Sequence, residues 1–372
     1  MRRAFFAAVF CLFLLFSVGA MDENTALDSI DFSQLDDFIN REIEAAFSPP
    51  TAREFITGLL KGETELGVAE AGKSLIGLFK SEMTRTISDG RGVLLVTLLF
   101  AFLPLLSGEG DGQPRRVCEM VGVFCLLGLF LPSFLELTKY GSLTIDKTTT
   151  FIRMIMPLYA VMLAVSGQAA SAAAFPLSVI VALGVINELI KNIFMPLIYA
   201  YLTLGALSCA SPNKGIERMA DMLKGIFVWG LSLTLTFFGA VLALQKGAMH
   251  VADSASLSAI RYTISFAVPI VGKILSDSTD IVLGSAGVIL GAFGIFGILV
   301  VILVCAIPVM RIGAYALLYK LLSIMGLMLE DSAPAKLLSF ISNTFLMLTA
   351  LSVSVSMLFI IAASLLIAGG RV

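Results

Sequence analysis

The sequence predicts an all-α, polytopic membrane protein: a transmembrane helix bundle of about seven to nine spans with a small exported helical region at its N-terminus. Three observations carry this. Hydrophobic residues make up 58% of the 372-residue chain and charged residues only 14%, with a mean hydropathy of +0.96. The runs 225–245, 281–310 and 341–368 contain no charged residue, and each is long enough to cross a bilayer core as a helix, which takes about 20 residues. A soluble domain of this length could not bury so much apolar surface in one core.

Taken in order, residues 1–20 read as a signal peptide. Arg2 and Arg3 form a positive start, an apolar stretch follows, and Val18, Gly19 and Ala20 supply small residues for cleavage. Residues 21–90 then read as an extracytoplasmic helical region. Ser33 with Asp36, and Thr51 with Glu54, resemble capping boxes, and Leu35, Phe38, Ile39 and Ile43 recur at helical spacing. Residues 91–372 form the polytopic membrane domain. Its expected spans are 92–108, 117–135, a hairpin of 154–166 with 171–186, then 193–210, 225–245, 281–310, 312–329 and 341–368. Polar loops are expected at 109–116, 136–153, 211–224 and 246–261. The run 262–273 is too short to span as a helix and contains Pro269, so it reads as re-entrant or interfacial. With an exported N-terminus and nine crossings, Lys and Arg divide almost evenly between the two sides. Orientation then rests on the signal peptide alone.

No motif gives an enzyme a home. Gly67 to Ser74 matches GxxxxGK[ST], but no apolar strand precedes it, so the match reads as a coincidence within a helix. The single histidine, His250, excludes a histidine-rich metal site. Asp277 and Asp280 read as helix capping at the entry to the span that follows. Cys118 and Cys125 sit seven apart, about 10 Å along one helix and too far to bridge. The formal charge of −2 provides no basic patch, which argues against a nucleic-acid partner. No metal or cofactor is expected.

Two constellations stand out. Asn187, Glu188, Lys191 and Asn192 form i,i+4 pairs on a continuous helix, with Glu188 and Lys191 three apart. Ionisable groups at membrane depth are costly and mark functional sites. This is the candidate polar membrane site, set against a plain interfacial turn between two spans. Gly284, Gly287, Gly291, Gly294 and Gly297 recur at spacings of three and four, the pattern that lets helices pack closely.

The stretch 256–280, SLSAIRYTISFAVPIVGKILSDSTD, resembles the most distinctive part of the stage III sporulation protein AE family. So do the Gly-rich span up to Cys305-Ala-Ile-Pro308, the segment 315–321, and the Ser-Gly, Ala-rich turn within 165–176. The resemblance implies a non-enzymatic integral membrane subunit of a sporulation channel or secretion-like complex between mother cell and forespore, needed for forespore development. It implies partners from the stage III sporulation A operon, including ring-forming subunits and an ATPase, and a forespore-membrane partner. It places the chain in the mother-cell membrane surrounding the forespore. The alternative is an autonomous small-molecule transporter with a site near Glu188 and Lys191, for which discontinuous helices at Pro269 and Gly167 would be suitable.

Overall fold

Long, continuous helices dominate the computed structural model, which describes residues 33–43, 57–58, 65–106, 113–211, 214–267, 272–329 and 332–369. The signal peptide and the second capping box lie outside these residues. The helices are α1 (Ser33–Ile43), α2 (Glu65–Asp89), α3 (Arg91–Leu106), α4 (Gln113–Val165), α5 (Ala169–Leu189), a π-helical turn (Ile190–Phe194), α6 (Met195–Ala210), α7 (Lys214–Ala267), α8 (Gly272–Leu329) and α9 (Ala333–Gly369). No strand occurs among the described residues. Residues 67–74 lie wholly within α2, so the phosphate-loop pattern has no loop.

Five helical stretches are long and apolar enough to cross a membrane: Val117–Val165, Ala169–Ala210, Lys214–Ala259, Ala286–Met328 and Ala333–Leu365. A shorter apolar helix covers Arg91–Phe100. Segments read from sequence as polar loops, 136–153 and 246–261, are helical, and 187–192 continues from α5 through the π turn into α6. The hairpin turn expected between 166 and 171 is present. The Ser166, Gly167 and Gln168 amides donate to the carbonyls of Met162, Ala164 and Leu163, and Gly167 turns the chain at φ 78°. A side chain is disfavoured at that φ, so glycine is required there. Residues 262–267 are the last turns of α7, and Pro269 lies outside the described residues.

Helices α4 and α8 run antiparallel. Tyr159 of α4 donates to the Phe293 carbonyl of α8 (3.0 Å), and Thr148 contacts Cys305 (3.2 Å). The α8–α9 hairpin is pinned by Ser323 donating to the Ala335 carbonyl (3.0 Å) and Ser342 to that of Ala316 (2.8 Å). Phe130, Tyr319 and Phe345 meet at centroid distances of 5.5–5.7 Å in the core. In lipid the hydrophobic effect does not drive helices together, so packing and interhelical hydrogen bonds carry the assembly.

The glycine stripe on α8 is not uniform. A side chain at Gly297 would meet the Tyr159 hydroxyl at 2.9 Å and Phe359 at 3.2 Å, and one at Gly294 would overlap Ile367. At Gly284 and Gly291 the space is open. Close approach is thus concentrated at the C-terminal half of the stripe, where α8 meets α4 and α9.

The 42-residue stretch Ala169–Ala210 is about 63 Å long at 1.5 Å per residue, against a hydrocarbon core of about 30 Å. The other long helices are of comparable length, so part of each projects beyond the hydrocarbon. Polar groups collect about halfway along α4 and the α5–α6 stretch and again at the α4–α5 turn.

Candidate functional site

The first polar cluster forms where the π turn interrupts α5 and α6. A π turn carries one more residue than an α turn and is frequently found at functional positions. Asn187 and Lys191 both turn toward Asp146 of α4. Lys191 Nζ lies 2.8 Å from Asp146 Oδ1, and Asn187 Nδ2 donates to the same oxygen at 3.4 Å. Glu188 and Asn192 bond to each other, Asn192 Nδ2 donating to Glu188 Oε2 at 2.7 Å. Of the two i,i+4 pairs seen in the sequence, Glu188 and Asn192 bond to each other, whereas Asn187 and Lys191 meet on Asp146, so the ammonium of Lys191 is matched by a carboxylate from another helix and not by Glu188. Lys191 and Asp146 are each 43% exposed, so the cluster is a surface feature of the bundle. One atom is left over, since Asn187 Oδ1 is buried without a hydrogen bond.

Ten residues back along α4 from Asp146, Glu136 meets Arg311 of α8, which interrupts an otherwise apolar run. Its guanidinium bonds Glu136 of α4 at 2.8 Å and stacks over Tyr140 at 5.2 Å. Tyr315, one turn on, donates to Asp89 at the end of α2 (3.0 Å). These pairs let polar residues sit inside long helices without breaking them, because each finds its partner on the neighbouring helix.

The second cluster is more deeply buried and lies at the α4–α5 turn. Asp253 of α7 is 3% exposed and Lys246 5%. Gln168 at the start of α5 makes no side-chain cap, so the free amides of the first turn need another acceptor. Asp253 supplies it: the Ala170 amide donates to Oδ1 at 2.7 Å and the Ser171 amide to Oδ2 at 3.2 Å. A carboxylate is favoured at a helix N-terminus, where the backbone dipoles present positive charge. The Ser171 hydroxyl donates to Asp253 Oδ2 at 2.6 Å and accepts from Lys246 Nζ at 3.1 Å. Lys246 also bonds Gln168 Oε1 at 2.9 Å and faces the Phe175 ring at 5.9 Å. Gln245 donates to Ser178 one layer further in. The Lys246 ammonium and the Asp253 carboxylate thus compensate each other through one serine hydroxyl.

The sequence reading nominated Asn187, Glu188, Lys191 and Asn192 and missed Asp146, Gln168, Lys246 and Asp253. A signal for the last two was present. They sit seven apart, two helical turns, and so share one face of α7.

Chemically, the charged groups of both clusters are engaged by partners within them, which suits holding helices in register. Cys305 likewise accepts from Ser356 at 2.7 Å inside the core.

A family model described as "Stage III sporulation protein AE" matches residues 51–370. A curated protein of that name from Bacillus subtilis (strain 168) is 27% identical over 301 residues, covering 80% of this chain and 75% of the relative. No solved structure matches the chain.

Proposed function

This chain belongs to the stage III sporulation protein AE family, and from that membership we propose that it is a non-enzymatic subunit of a channel-like or secretion-like complex between mother cell and forespore. The chain is a membrane protein of a family involved in sporulation. The finer reading is that it sits in the mother-cell membrane around the forespore, with residues 21–90 exported. Other stage III sporulation A proteins, among them ring-forming subunits and an ATPase, would be its partners, together with a forespore-membrane protein.

The observation that carries this reading is the combination of family membership with polar clusters that satisfy one another. Lys191 with Asp146 and Arg311 with Glu136 each tie two helices together, and Lys246 and Asp253, both of α7, together hold the start of α5. A subunit that forms part of a larger passage needs a rigid bundle more than it needs a private substrate site. An autonomous transporter near Glu188 and Lys191 would need those groups turned into an enclosed cavity at mid-membrane. Here Lys191 is engaged by Asp146 and Glu188 by Asn192 at the bundle surface, which favours the subunit reading.

Counting α3 with the five long helices gives six crossings, fewer than the seven to nine of the sequence reading. Arg115, Arg116, Lys214, Arg218, Lys224 and Lys336 then fall toward one end of the bundle, and Lys246, Arg261 and Lys273 toward the other. That distribution supports placing the first set on the cytoplasmic side.

An in-frame deletion tests the proposal. Vegetative growth should be unchanged and heat-resistant spores lost, with recovery on complementation. Normal sporulation of the deletion strain would overturn it.

A further inference from the structure

The exported region of the chain does not stand apart from the membrane bundle. Phe38 of α1 rests on Phe151 of α4 at 5.7 Å. Asp89, the last residue of α2, bonds Tyr315 of α8, and the adjoining Gly90 fits against Leu318. From there α2 runs back along α8 beside its apolar run and hardly touches α3. At 25 residues it is about 37 Å long and reaches well up that run.

This placement creates an asymmetry. The outward surface of α2 carries Lys80, Ser81, Thr84, Arg85 and Ser88, mixed with Ile76, Phe79 and Ile87. Charged groups there would be costly against acyl chains. The other flank at corresponding heights is α7. Its Gln245 pairs with Ser178 of α5 and its Phe227 with Phe194 of the π turn, which sets its level. Between 225 and 245 α7 has no charged residue. It exposes Trp229 (68%), Leu233, Phe237 and Leu244 (76%), and α5 adds Leu177 and Val181 beside it.

We propose that the bundle is two-faced at membrane depth: the α2 flank opens to water continuous with the exported side, and the α7 flank meets lipid acyl chains. The inference deepens the membrane-subunit reading and rests on it, because it identifies which side of the subunit would border an aqueous passage. Water at α2 lets an exported, charged helix lie against a membrane helix without dehydrating Lys80 and Arg85. Acyl chains at α7 cover an apolar surface that no other described element covers.

Trp229 is the only tryptophan in the chain, which makes the test direct. The full-length protein is reconstituted alone into vesicles of phosphatidylcholine, with or without bromine on the acyl chains. Trp229 should lose most of its emission in brominated vesicles and be little affected by iodide. In a Trp229→Phe background, Thr84→Trp and separately Ser81→Trp move the reporter to α2, two sites guarding against one variant failing to fold. These should be quenched by iodide and not by brominated chains. Insensitivity of Trp229 to brominated lipid would overturn the proposal, and so would quenching of either α2 reporter by it. The measurement uses the isolated chain, so its failure leaves membership of the complex to be decided by the deletion and by co-purification.

Discussion

Replacing Asp253 with Ala should be the most damaging single change to a charged residue in the bundle. The carboxylate accepts two α5 amides and the Ser171 hydroxyl. Its loss uncaps α5 and leaves Lys246, 5% exposed, without an opposite charge. Breaking a buried ion pair from one side costs about 3–5 kcal/mol in soluble interiors. Interhelical hydrogen bonds within membranes are weaker, averaging about 0.6 kcal/mol, because the reference state also finds partners. The lower end, about 3 kcal/mol, is therefore expected for Asp253→Ala. Lys246→Met should cost somewhat less, since Asp253 keeps its three donors. The double variant removes both charges together, so its cost should fall short of the sum by about 2 kcal/mol. Unfolding free energies from sodium dodecyl sulfate titration in mixed micelles, followed by circular dichroism, measure all three. Additivity of the two single changes within about 0.5 kcal/mol would refute the compensated pair.

The other expectations concern packing, the surface cluster and topology. Gly297→Leu should lower the amount of folded protein in membranes, because the side chain would meet Tyr159 and Phe359, whereas Gly291→Leu should accumulate normally in its open space. Western blotting of membrane fractions compares them. Lys191→Ala and Asp146→Ala should each change stability by less than about 1 kcal/mol, as for other exposed pairs. Exchanging Glu188 with Lys191 should bring no specific rescue, because the partner of Lys191 is Asp146. Lys73→Ala should sporulate normally, since residue 73 lies in a helix and not in a phosphate loop. A phosphatase reporter fused near Pro50 and another after Arg371 should both be active if six helices cross; activity at only one would give an odd number.

The helical class and the α4–α5 turn were legible because each depends on local composition: long apolar runs for the first, Ser166-Gly167-Gln168 among small residues for the second. The polar stretch 136–153 was misread as a loop because sequence shows a charge without its partner. Asp146 is satisfied by Lys191, 45 positions away, and Glu136 by Arg311, 175 away. Once matched, neither need break its helix. The end cluster was illegible for the same reason: Asp253 caps a helix whose start lies more than 80 residues earlier. The Glu188–Asn192 pair was readable from spacing, but that Lys191 turns to Asp146 and not to Glu188, at 43% exposure, depends on how α4 and α5 pack.

Co-purification tests the central claim most directly. A tagged chain, expressed at its native level and extracted in mild detergent from sporulating cells, should carry with it the ATPase and ring-forming subunits of the stage III sporulation A set. Recovery of the chain alone, from cells in which those proteins are present and soluble in the same detergent, would contradict the account.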